Sequence, residues 1–134
     1  MNARTSDKTR FDQPADILVI DDDIGMRELL SLHLSRAGYQ VRTAVDAVSG
    51  GQMLMAARPD LVILDVRMPH MSGDKLLELL RGDAEMKNIK VIMLSVMQSE
   101  RLDSAVERLG VSAFLHKPIN KDVLLENVAR ALQA

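Results

Sequence analysis

Four stretches of the 134-residue chain run aliphatic residues into a side chain capable of chemistry. Asp16-Ile17-Leu18-Val19-Ile20 leads to Asp21, Asp22 and Asp23, and Leu61-Val62-Ile63-Leu64 leads to Asp65. Ile89 to Leu94 delivers Ser95, and Val111 to Leu115 precedes Lys117-Pro118. A carboxylate such as Asp65 is nucleophilic, ionised at neutral pH and able to share a metal ion. Three adjacent acids repel one another, and a divalent cation relieves that repulsion; Mg²⁺ takes a few carboxylates plus waters. A lysine pairs with a phosphoryl oxygen and favours the charged form of a nearby carboxylate, while a serine offers its hydroxyl to another oxygen. Jointly these are the parts of a phosphoryl transfer in which Asp65 attacks phosphorus. Singly, each has a plainer role. Asp65 and Ser95 can cap a loop or helix, Asp23 can be an N-cap, and Lys117 can be a surface charge.

The four residue types meet only if the runs are strands of one sheet whose ends share an edge. Short apolar runs read as strands buried on both faces, although a buried helix segment looks similar over this length. Arg58-Pro59-Asp60 before the Asp65 run and Pro69 to Gly73 after it supply breakers. Between the runs lie helical patterns. Ile24 to Ala37 repeats Met26, Leu29, Leu30, His33, Leu34 and Ala37, with Gly38 as a left-handed cap and His33 as a packed core-edge residue. Tyr39 to Ala44 alternates as an edge strand with one wetter face. Asp46 to Ala57 is a helix weakened by Gly50-Gly51, at roughly 1 kcal/mol per glycine. Ser72-Gly73-Asp74 opens a helix burying Leu76, Leu77, Leu79 and Leu80 and stopping near Gly82. A fourth helix spans Gln98 to Leu109, with an apolar stripe of Leu102, Ala105, Val106 and Leu109, a charged outer face and Gly110 as its cap. Asn120 or Asp122 opens a fifth, carrying Val123, Leu124, Val128 and Leu132. Five alternating strand–helix units argue for a parallel sheet covered on both faces. Right-handed crossovers place all strand ends on one edge, where open α/β sheets carry their chemistry. Met1 to Ala15 is polar and aperiodic and reads as a flexible tail before a single domain over 16–134.

Composition removes other classes. Net charge is −2 and aromatics are 2%, which gives no basic footprint or stacking platform for nucleic acid. No cysteine is present, so disulfides, thiolate metal sites and cysteine nucleophiles are excluded. No apolar run reaches a membrane span and no signal peptide opens the chain, so a cytoplasmic protein is the expectation. The acids after the first strand do not form an EF-hand, because Gly25 comes too early and Leu32 stands where the closing Glu belongs. Gly50-Gly51 lacks both phosphate-loop spacings, and His70 is expected to be solvated rather than a ligand.

ILVIDDD (17–23), LVILDVRMPHMSG (61–73), VIMLS (91–95) and GVSAFLHKPI (110–119) together resemble the receiver domain of bacterial two-component response regulators, in that family's order and spacing. The resemblance implies a flavodoxin-like (βα)5 fold with strand order 2-1-3-4-5. It makes Asp65 the phosphoacceptor, charged by a phosphohistidine on a sensor histidine kinase or histidine phosphotransfer protein. Asp22, Asp65 and the Arg67 backbone carbonyl would ligate Mg²⁺, and Asp21 would hold the metal or a coordinated water. Ser95 and Lys117 would contact the phosphoryl group, and the Lys117–Pro118 bond would be cis. Phe114 would be the aromatic switch, moving inward as Ser95 moves toward the phosphoryl group. The output would be a changed surface of fourth helix, fifth strand and fifth helix that controls a downstream partner or effector. Such a domain is a phosphoacceptor rather than an enzyme, and is a monomer or a phosphorylation-dependent dimer. Val96 stands where many receivers have Ala or Gly. With Arg67 and Met97 it flanks the site, and is expected to hinder water and small donors and prolong the phosphoryl group. A receiver-like module that never uses phosphate is the alternative, and the intact Asp21, Asp22, Asp65, Ser95 and Lys117 speak against it. An Asp-nucleophile phosphatase would want a second acid two residues after Asp65, where Arg67 stands.

Overall fold

The structure, a computed structural model, describes residues 13–96 and 108–134. The described elements are β1 (Asp16–Ile20), α1 (Ile24–Arg36), β2 (Gln40–Ala44), α2 (Ala47–Ala56), β3 (Leu61–Asp65), α3 (Gly73–Arg81), β4 (Lys90–Ser95), β5 (Ala113–His116) and α4 (Lys121–Gln133). Thus α4 is the fifth helix of the sequence reading. The fourth expected helix lies outside the described residues up to Glu107, as does Met97. The tail expected over 1–15 lies outside them through Asp12.

The five strands form one parallel sheet in the order β2-β1-β3-β4-β5. Alternation along the strands divides the core into two layers. Leu18, Ile20, Val62, Leu64, Val91 and Met93 pack against α2 and α3, whereas Ile17, Val19, Leu61, Ile63, Ile92 and Leu94 pack against α1 and α4. All five residues of β3 are buried. That double coverage is why its apolar run is continuous, and it carries Asp65 to the middle of the carboxyl edge.

Local chemistry sets the helix starts. The side chains of Asp23, Asp46 and Asn120 accept from the backbone N–H groups of Gly25, Ser49 and Val123, satisfying donors that a helix N-terminus leaves unpaired. Gly38 and Gly110 take positive φ at 100° and 66°, as expected of left-handed caps.

Four apolar-stripe expectations are corrected, one being Ala37, which is exposed at the C-cap of α1. Leu29, Leu79 and Val123 are 37%, 51% and 46% exposed, while their neighbours Leu30, Leu80 and Leu124 are buried. Adjacent helical residues diverge by ~100°, so one of each pair turns away from the sheet. In β2, an edge strand as expected, Thr43 is exposed and Ala44 is buried. Gly50 has a positive reason to be glycine, since a Cβ there would meet the Ile20 side chain at 2.5 Å. The second helix is closely seated on β1 at that point rather than merely weak.

Candidate functional site

The carboxyl edge brings Asp21, Asp22 and Asp65 together, with one oxygen from each lying within 4.8 Å of the others. Asp21 is fully buried and Asp65 is 4% exposed, whereas Asp22 faces solvent. Lys117 reaches in from the end of β5. Its Nζ lies 2.9 Å from Asp21 Oδ2 and 3.3 Å from Asp65 Oδ1. Asp21 Oδ1 accepts the Asp23 N–H at 2.9 Å, so both of its oxygens are engaged.

The backbone around these groups is fixed by neighbouring strands. Asp21 N–H donates to the Ala44 carbonyl at 3.2 Å, Val66 N–H to Leu94 at 2.9 Å, and Lys117 N–H to Ser95 at 2.8 Å. Ser95 is buried and lies opposite His116 in the β4–β5 register. The Lys117–Pro118 peptide is cis. Phe114 is half-buried against the α2–α3 side of the core, with its ring 5.4 Å from that of His116. Val96 is 64% exposed immediately after Ser95.

Burial, and then the charge of Asp21, push the Asp65 carboxyl up to about 6. Lys117 and the Arg67 backbone N–H act in the opposite direction and are outweighed. Lys117 therefore favours the Asp65 anion as expected, but does not hold it in the ordinary carboxylate range; the anion still predominates at neutral pH. Burial pushes the Lys117 ammonium down, yet its two carboxylate partners carry it above the usual lysine value.

Three carboxylates against one ammonium leave an excess of two negative charges beside a solvent-facing opening at Asp22. All-oxygen donors with that charge fit a hard divalent cation such as Mg²⁺.

Several contributors were not singled out from sequence. Arg27 Nη1 donates to the Asp21 carbonyl at 2.8 Å from one turn into α1. Gly73 packs so closely beneath the site that a Cβ would overlap the Asp65 carbonyl. Its N–H donates to the Val66 carbonyl at 2.8 Å. His70 has φ 70°, and Met71 N–H donates across it to the Pro69 carbonyl at 2.8 Å, making a γ-turn at the mouth of the β3–α3 loop. The breaker cluster announced a turn there; the need for glycine at 73 depends on contacts no local pattern encodes.

Residues 17–129 match the model of the response regulator receiver domain. The chain belongs to this family. The receiver is 36% identical over 124 residues to chemotaxis protein CheY of Treponema pallidum, covering 90% of this chain and 84% of that protein. It is 34% identical over 116 residues to hybrid signal transduction histidine kinase D of Dictyostelium discoideum, covering 87% of this chain but 7% of that one. Against the transcriptional regulator RpaA of Synechocystis the identity is 32%, over 48% of the relative. The chain thus spans less than half the length of those last two relatives. Among solved structures, chemotaxis protein CheY4 of Vibrio cholerae superposes with a TM-score of 0.83 at 32% identity, over 88% of this receiver and 98% of that chain. These neighbours share the five-stranded flavodoxin-like architecture. Among the described residues, no helix is long and apolar enough to cross a membrane.

Proposed function

We propose that residues 16–134 form a receiver unit that accepts a phosphoryl group on Asp65 from the phosphohistidine of a sensor histidine kinase or histidine phosphotransfer protein. The observation that carries this reading is the placement of Lys117 Nζ between Asp21 and Asp65, at 2.9 and 3.3 Å, beside the exposed carboxylate of Asp22. An Asp65 oxygen attacks phosphorus, the phosphorus–nitrogen bond of the donor breaks, and the departing imidazole keeps the electron pair and takes a proton. Asp65 becomes an acyl phosphate. Lys117 is poised to follow the new charge, pairing with a phosphoryl oxygen once Asp65 no longer holds a full negative charge. The Ser95 hydroxyl contacts a second oxygen.

Asp22, Asp65 and the Arg67 carbonyl would hold Mg²⁺, with Asp21 binding it directly or through water. When bound, the ion neutralises charge on the transferred oxygens. The signal leaves through Phe114, whose inward turn would follow the displacement of Ser95 and alter the surface around β5 and α4. Lacking a hydroxyl, Phe114 acts by packing alone. Downstream, that surface controls a protein partner or a linked effector rather than nucleic acid directly.

The test is intact mass after incubation with Mg²⁺ and either a phosphorylated histidine donor protein or acetyl phosphate. One phosphate adduct, absent in Asp65→Asn, is the expected result. No adduct from either donor, with the domain folded and Mg²⁺ bound, would replace this reading with a phosphate-independent docking module.

A further inference from the structure

Every polar atom of Asp21 is engaged, and the partner of its carbonyl comes from a helix. The Asp21 N–H donates to the Ala44 carbonyl at the end of β2, at 3.2 Å. Oδ1 accepts the Asp23 N–H and Oδ2 accepts from Lys117 Nζ, both at 2.9 Å. The carbonyl oxygen accepts from Arg27 Nη1 of α1 at 2.8 Å. That carbonyl and the Asp22 N–H belong to one planar peptide unit. A hold on the oxygen therefore fixes the direction in which the chain enters Asp22. The Asp22 carboxylate is exposed and accepts no hydrogen bond among the described residues, so its aim depends on the backbone beneath it.

Arg27 is the fourth residue of α1, within its first turn. Helical side chains lean toward the helix N-terminus, which lets an arginine there reach back to the β1–α1 junction. Helix electrostatics alone would not put it there. A cation in the first turn opposes the helix dipole, and that turn contains no acidic residue to offset it.

We propose that Arg27 is a positioning residue for the divalent cation, holding the Asp21–Asp22 peptide in the orientation from which both carboxylates converge on the ion. This rests on the reading of the acidic cluster as a Mg²⁺ site. Arg27 acts through the backbone, because its charge alone would work against binding: one cation beside the cluster repels another. The two effects have opposite signs. If positioning dominates, removing Arg27 weakens Mg²⁺ binding; if charge alone mattered, removing it would strengthen binding.

Mg²⁺ titration of the metal-stripped full chain, followed by backbone amide NMR, separates them. Arg27→Met should bind Mg²⁺ at least ~10-fold more weakly than the wild type, as when other groups that orient a metal ligand are removed. Arg27→Lys keeps the charge but not the planar fork, and should recover only part of that loss. Arg36→Met removes a charge from the last turn of the same helix and should bind like the wild type. The titration reports the folded protein, so a lower melting temperature in a variant does not mimic the effect. If Arg27→Met does not fold, Arg27→Lys carries the test. Affinity in the tested Arg27 variant equal to or above that of the wild type overturns the proposal and leaves the contact purely structural. So does an equal loss in Arg36→Met. A wild type that binds no Mg²⁺ overturns the underlying metal reading together with this one.

Discussion

Lys117 Nζ lies 3.3 Å from Asp65 Oδ1, yet it is closer, at 2.9 Å, to Asp21 Oδ2. The lysine is thus held mainly by the fully buried acid and only partly by Asp65. That division leaves Asp65 short of neutralisation in its resting form. It also places the ammonium within reach of any oxygen added to Asp65, with no change of strand register needed.

The burial that raises Asp65 to about 6 gives stability a distinct pH dependence. The folded state binds this proton more tightly than the unfolded chain, whose aspartates titrate near ~3.9. The contribution of Asp65 is therefore fully favourable below about pH 4 and is lost as pH rises through about 6. Without divalent cations, Asp65→Asn should raise the melting temperature at pH 8 and leave it little changed near pH 4. Equal shifts at both pH values would show that the Asp65 charge is not the cause.

Asp22 is exposed while Asp21 and Asp65 are buried, so its role separates from folding. Mg²⁺ at a hundredfold excess over its dissociation constant should stabilise the wild type by ~2.7 kcal/mol, and a chelator should reverse this. Asp22→Asn should fold as well as the wild type without metal but lose most of the Mg²⁺-dependent rise in melting temperature. A full Mg²⁺ response in that variant would move the metal away from this cluster.

Gly50 and Gly73 are packing glycines, opposed by Ile20 and by the Asp65 carbonyl respectively. Alanine at 50 should destabilise the fold by ~1–3 kcal/mol through overpacking, despite alanine's better helix propensity. Alanine at 73 should cost at least as much, because backbone rather than a side chain must yield. Urea denaturation measures both, and a stabilising Gly50→Ala would mean that α2 stands further from β1 than described.

Val96 leaves the end of β4 with 64% of its surface exposed, next to buried Ser95. A branched side chain there should shade Asp65 from water and small donors. Val96→Ala should shorten the lifetime of the aspartyl phosphate several-fold and speed labelling by acetyl phosphate. Unchanged or slower hydrolysis in the variant would exclude Val96 as the shield.

Much of this arrangement was legible in the chain. Strand runs ending in Asp21, Asp65, Ser95 and just before Lys117 mark a shared sheet edge, and double burial makes the runs of the inner strands β1, β3 and β4 continuously apolar. Asp23, Asp46 and Asn120 mark helix starts through capping chemistry. What escaped depended on distance in sequence. Nothing near Gly73 announces that the Asp65 carbonyl lies against it, and nothing near Gly50 announces Ile20. Arg27 looks like any surface cation of a helix until the Asp21 carbonyl is placed beside it. The adjacent pairs Leu29–Leu30, Leu79–Leu80 and Val123–Leu124 left the buried member undecided, since an apolar stripe has edges that only packing defines. The upward push on Asp65 was likewise hidden, because it comes from burial and from Asp21, forty-four positions earlier.

Asp65, and no other acid of the cluster, is expected to carry the phosphoryl group. Borohydride reduction of the chain labelled by a phosphohistidine donor, followed by peptide mass spectrometry, tests it most directly, since hydride reduces an acyl phosphate to an alcohol and marks the residue. Homoserine is expected at position 65 in the labelled protein only, with Asp21 and Asp22 unchanged. Reduction at Asp21 or Asp22, or a stable adduct on a side chain that borohydride leaves intact, would contradict it.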